Sequence, residues 1–136
     1  MNYEKKVTRV HEVMKPGIDI VDGMMTIAAV LDNLKYPDNR TIIINKRHDD
    51  DEYGVVMFSD IARQIVAAGR AADRVNIYEI MSKPVISVHP DMDIRYCTRL
   101  FDRFGLSRAP VIEHQKIIGL VSYTDIVLNG LALEMD

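Results

Sequence analysis

Gly119-Leu120-Val121-Ser122-Tyr123-Thr124-Asp125-Ile126 is a pattern that the chain carries twice. Its counterpart, Gly54-Val55-Val56-Met57-Phe58-Ser59-Asp60-Ile61, lies 65 residues earlier. Upstream, Val10-His11-Glu12-Val13-Met14 recurs as Ile77-Tyr78-Glu79-Ile80-Met81, with an offset of 67. The two-residue difference falls between the matched blocks, where the first copy has the long acidic stretch Asn45-Lys46-Arg47-His48-Asp49-Asp50-Asp51-Glu52. Insertions collect in surface loops, since a buried loop strands backbone polar groups. A repeat fixes the architecture. The chain therefore reads as a tandem duplication, repeat 1 over residues 7–73 and repeat 2 over 74–136, with one enlarged hairpin.

Each copy has the same order of elements. A short helical turn ends near Met14 or Met81, and a short extended run follows, Ile18 to Val21 or Val85 to Val88. An amphipathic helix comes next. Its apolar face is Met24, Ile27, Ala28 and Leu31 in the first copy, and Ile94, Cys97, Phe101 and Phe104 in the second. Two strands then pair as a hairpin, Thr41 to Ile44 with Tyr53 to Met57, and Ala109 to Ile112 with Ile117 to Val121. A final helix begins at Ser59 or Thr124, N-cap residue types, each followed by an Asp that suits the positive helix start. Ile61, Ile65 and Ala68, then Ile126, Val127, Gly130 and Leu131, form its apolar face. The class is α/β (α+β), two β-α-β-β-α units of about 60 residues. Units so small are marginal alone, and the near-continuous apolar hairpins fit a sheet covered on both faces. One module with pseudo-twofold symmetry is expected, rather than two independent beads.

Composition narrows the function. Of 136 residues, 48% are hydrophobic and 27% charged, with seven glycines and five prolines, which excludes disordered and collagen-like chains. A single cysteine, Cys97, forms no internal disulfide, so nothing depends on an oxidising compartment. The first residues lead into no apolar signal segment, and no apolar run reaches the roughly 18 residues of a membrane helix. A net charge of −3 argues against a nucleic-acid binder. A soluble, cytoplasmic protein is expected, with neither nucleic acid nor membrane as partner.

In three places the residues resemble a known family, the tandem cystathionine-β-synthase (CBS) domain pair, or Bateman module. These are the Glu-apolar-Met openings at Glu12 and Glu79, the strand entry Arg108-Ala109-Pro110-Val111, and the Gly-apolar-apolar-Ser-x-x-Asp close from Gly119 to Asp125. The likeness covers nearly the whole chain. It implies a non-catalytic regulatory module that binds AMP, ADP, ATP or S-adenosylmethionine in clefts between the repeats, requires no cofactor, and signals to a partner protein. With nothing attached, the chain looks like a free-standing version. Family modules commonly pair into a disc through their helices, so a homodimer is expected.

The second-repeat close has the chemistry of a nucleotide seat. A strand ending at Val121 and a helix starting just after Thr124 direct free N–H groups and a positive dipole outward. Ser122 offers a hydroxyl that donates and accepts, and the Asp125 carboxylate suits a ribose diol. The resemblance places Ser122 beside phosphate, Asp125 on the ribose, and Val85 and Ile86 beside the adenine. The guanidinium of Arg108 suits a phosphate, and Tyr123 and Thr124 complete the turn. The competing reading makes Asp125 a helix-start carboxylate contributing about 0.3–1 kcal/mol, Ser122 a turn residue and Arg108 a solvated charge. A second candidate site, in the first repeat, comprises Asp60, Ser59, Ile18 and Asp19. There Met57 stands where Ser or Thr is expected, and Thr41 and Ile42 replace the Arg-Ala entry, so the second-repeat site is expected to be the better one.

Other clusters read as structural. His48 with Asp49, Asp50, Asp51 and Glu52 is a solvated hairpin tip, since consecutive acids point apart and repel. The histidines show no metal-ligand spacing, and Cys97 is an inert core thiol. Arg95, Arg99 and Arg103 form a charged stripe, with Asp91 able to pair with Arg95 and a docking face for an acidic partner as the sharper reading. No catalytic residue, metal site or glycine-rich phosphate loop is found. The alternative to a sensor is a ligand-free scaffold with a degenerate cleft. An enzyme with unassigned chemistry comes third.

Overall fold

The computed structural model describes residues 6–135. Its chain folds into two compact units whose boundaries do not follow the sequence repeats 7–73 and 74–136. One unit joins residues 6–17 to residues 86–135; the other is Ile18–Val85. Each repeat's opening turn thus packs with the sheet of the other repeat.

In the unit Ile18–Val85, β1 (Asp19–Val21), β2 (Thr41–Ile44) and β3 (Gly54–Met57) form a sheet in that order. β1 lies parallel to β2, pairing Asp19 with Ile42, and β2 lies antiparallel to β3, pairing Thr41 with Met57. A parallel pair needs a crossover. Between β1 and β2 the crossover carries a helix, Ile27–Asp32, whose Thr26 cap accepts the Ala29 N–H. All four β2 residues are buried, as a strand covered on both faces requires. Ile27, Val30, Ile42, Ile44, Val56, Ile77 and Ile80 form the core. The turn Ile77–Ile80 is tied in by backbone bonds from Ile77 and Tyr78 to the carbonyls of Met25 and Gly23.

The other unit is built on the hairpin β4 (Arg108–Glu113) and β5 (Lys116–Ser122). Short α1 (Val10–Val13) enters here, with Val10 and Val13 in the core. With Ile27–Asp32 as α2 and Phe58–Ile61 as α3, the long helix against this hairpin is α4 (Ile94–Phe104). Ile94, Cys97 and Phe101 are its buried face, and the Phe101 ring meets Tyr123 edge-on at 5.2 Å. Beyond α1, Lys15 and Leu120 exchange both backbone hydrogen bonds at 2.8 Å.

Several expectations change. The last helices begin earlier than the expected Ser59 and Thr124 caps, because each strand runs directly into its helix. α3 is capped by Met57, and α5 (Tyr123–Asp125) by Ser122. α3 continues as a π-helical turn over Ala62–Val66; α5 continues through Ile126–Gly130 into α6 (Leu131–Met135). Met24 precedes α2 and is exposed, as are Leu31, Ala68, Phe104, Val127 and Leu131, so the buried stripes are narrower than periodicity implied. Val85 to Val88 forms no strand, and Val88 alone bridges Val111. Arg95 pairs with Asp93 at 2.9 Å rather than with Asp91, since Asp93 caps the same helix. The acidic hairpin is not wholly solvated. The Asp51 carboxylate is enclosed between Lys83 at 2.6 Å and Arg47 at 3.1 Å, and these cations hold it well below the usual carboxyl range.

Candidate functional site

The register of β4 and β5 sets Arg108 directly opposite Ser122. The strand then turns straight into helix at Tyr123, whose N–H donates to the Ser107 carbonyl. Ser122, Tyr123, Thr124, Asp125 and Arg108 therefore gather at one end of one hairpin.

Ser122 and Asp125 form a closed pair of interactions. The Ser122 Oγ accepts the Asp125 N–H at 3.2 Å and donates to Asp125 Oδ2 at 2.9 Å. The Ser122 N–H donates to the same Oδ2 at 3.0 Å. This is a capping box, which satisfies two helix-start groups reciprocally. Asp125 is 3% exposed. Its Oδ1 faces the Lys15 ammonium at 3.7 Å, and that side chain is half exposed. One carboxylate oxygen is thus committed to the helix start, while the other meets a cation on a flexible stem. Thr124 is exposed, and Tyr123 is turned inward against Phe101.

Lys15 is the residue that reading the sequence missed. It directly follows the Glu12-Val13-Met14 opening and reaches the site because its backbone pairs with Leu120. Only the exchange of opening segments brings it there. Val85 and Ile86 fall in different units. The Val85 N–H donates to the Tyr53 carbonyl, and Ile86 is 38% exposed.

The first-repeat group is arranged otherwise. Asp60 Oδ2 accepts the Met57 N–H at 2.8 Å, and Oδ1 accepts from Arg63 at 2.9 Å, so both oxygens are engaged. Asp19 is buried and accepts the Lys35 and Tyr36 N–H groups, one on each oxygen at 2.9 Å, which makes it the anchor of the loop after α2. Ser59 is exposed, and Ile18 is half-buried. The Met57 sulfur lies 3.5 Å from the Thr41 hydroxyl, where the second repeat has Ser122 facing Arg108. Among the described residues, no group of three or more His, Cys, Asp or Glu side chains is arranged to hold a metal.

The CBS domain family model matches residues 77–130, the second repeat. A hexameric CBS-CP12 protein from bloom-forming cyanobacteria is 32% identical, covers 94% of this chain and 74% of its own, and superposes with a TM-score of 0.86. The chain belongs to the CBS domain family. MK0525 of Methanopyrus kandleri is 30% identical over 113 residues, 80% of this chain. This chain spans 57% of the length of the curated relatives it matches. The CBS domain pair of MJ0100, solved in complex with 5′-methylthioadenosine and S-adenosylmethionine, is 20% identical, covers 96% of this chain and all of its own, and has a TM-score of 0.76. That likeness establishes the shared fold. Among the described residues, no helix is long and apolar enough to cross a membrane.

Proposed function

We propose that this CBS protein is a non-catalytic regulatory module that binds an adenosine-bearing ligand, one of AMP, ADP, ATP or S-adenosylmethionine, and signals to a partner protein. The observation that carries this reading is the Asp125 carboxylate, with Oδ2 held by Ser122 and Oδ1 facing Lys15. A buried carboxylate with one oxygen held and one facing a movable cation is a directional acceptor for a ribose hydroxyl. Lys15 and Arg108 supply positive charge for a phosphate or for a carboxylate-bearing ligand. The MJ0100 pair, which holds adenosine compounds, supports the same ligand class.

Signalling follows by population shift. A ligand moves the module only by its differential affinity for two arrangements. Asp125 engages Lys15, which precedes the segment linking the two units, so a ligand that takes over Oδ1 releases that cation.

A homodimer suits the exposed Val127, Leu128 and Leu131 on the last helix, since twofold closure is the commonest way to cover such a face. The alternative reading, a ligand-free scaffold, rests on the first-repeat group, where Arg63 and the Met57 N–H occupy both oxygens of Asp60.

Thermal unfolding tests the proposal. A ligand at about 100 times its dissociation constant adds roughly 2.7 kcal/mol, a rise of about 4 °C or more. The expected result is such a rise with at least one of the four ligands and its loss in Asp125→Ala. No rise with any of them rejects the sensor in favour of the scaffold.

A further inference from the structure

At the opposite end of the three-stranded sheet from Met57 and Asp60, beyond Val21 and Ile44, lies a cleft of about 660 Å³. This is within the range of small-molecule sites. Its floor is preformed by backbone bonds, with the Asn45 N–H donating to Val21 and the Tyr78 N–H to Gly23. Gly23 is needed for this closeness, because a Cβ there would stand 3.0 Å from the Tyr78 Cβ and 3.1 Å from Ile44.

The walls divide by chemistry. Met24, Ile44, Tyr78 and Met81 supply an apolar side, on which Met24 and Tyr78 are 67% and 45% exposed. Lys46, Arg47 and Lys83 supply the polar side. Arg47 and Lys83 share one carboxylate, that of Asp51 behind the wall. Lys46 lies 5.0 Å from the centre of the Tyr53 ring, and among the described residues it has no carboxylate partner. Asp22 is the acid of the lining, and its Oδ1 is held by the Met24 N–H at 2.9 Å. The exposed Asp49, Asp50 and Glu52 do not line the cleft. The lining thus carries the cations Lys46, Arg47 and Lys83 against the acid Asp22, with Asp51 shared by two of the cations.

The geometry points to a binding site here for a small anion carried on an aromatic ring, an aryl phosphate being the chemical type. The ring lies against Tyr78 and Met24, where stacking and sulfur contacts reward a flat face. The anion sits beside Lys46, the cation of the lining without a carboxylate among the described residues, while Arg47 and Lys83, which share Asp51, offer further N–H donors. The site shares no residue with the Asp125 group and does not depend on it.

Phenyl phosphate is the probe, titrated calorimetrically into the full chain beside inorganic phosphate. Saturable binding of phenyl phosphate is expected, weakened about tenfold or more in Lys46→Met and in Tyr78→Ala. Tyr78→Phe, which keeps the ring, is expected to bind like wild type. Lys46 makes no bond to Asp51, and the Tyr78 side chain is exposed, so both variants keep the fold, which circular dichroism checks. Absence of saturable binding overturns the site. So does binding unaffected by Lys46→Met and Tyr78→Ala. Inorganic phosphate binding as tightly as the aryl ester overturns the role of the ring.

Discussion

Cys97 is fully buried on the inner face of α4, and burial pushes its thiol up to about 11. Only the thiolate is nucleophilic, so the folded protein is expected to resist iodoacetamide at pH 8 and to be alkylated only on unfolding. Labelling followed by intact mass checks this, and rapid modification of the native chain contradicts it. The inert thiol was legible because Cys97 shares helical spacing with Ile94 and Phe101. The roles of the acids were only partly legible. Asp125 and Asp60 occupy the same place in the repeat, and each gives one oxygen to a backbone N–H and turns the other to a cation, Lys15 at 3.7 Å for Asp125 and Arg63 at 2.9 Å for Asp60. Arg63 lies three residues beyond Asp60, a spacing at which helical side chains meet. Three residues beyond Asp125 stands Leu128, whose side chain has no charge to offer a carboxylate.

At the scale of elements, the two hairpins follow from apolar runs broken by polar turns, and both were readable. The exchange of opening turns was not. Nothing in the pattern Glu-apolar-Met says which sheet it joins, because that choice depends on contacts distant in sequence. Gly119 records the outcome. A Cβ there would stand 2.7 Å from the Lys15 carbonyl and 2.9 Å from the Met14 sulfur. Gly119→Ala is therefore expected to destabilise the protein by about 1–3 kcal/mol, since the backbone that pairs with Leu120 must give way. Urea unfolding measures it, and an unchanged midpoint would mean that the opening segment does not dock on β5. The second repeat's first strand is reduced to the single bridge between Val88 and Val111. The facing strand β4 carries Pro110, which has no N–H to give a ladder.

At the scale of the whole molecule, the last helix leaves Val127, Leu128, Leu131 and Met135 more than half exposed. This is the face that the proposed homodimer covers. Light scattering is expected to give at least twice the 15.5 kDa chain mass, and Leu128→Glu with Leu131→Glu to give one chain. A monomeric wild type contradicts the homodimer. The family, the α/β class and the nearness of Ser122 to Asp125 were readable from the duplication. Lys15 and the cleft at Lys46 were not, because each is assembled across the fold. Calorimetric titration of AMP, ADP, ATP and S-adenosylmethionine into wild type and Asp125→Ala separates a ligand-binding module from a ligand-free scaffold. Saturable binding of at least one ligand, abolished by the substitution, is the predicted result. Four flat titrations, or an affinity unchanged in Asp125→Ala, would contradict it.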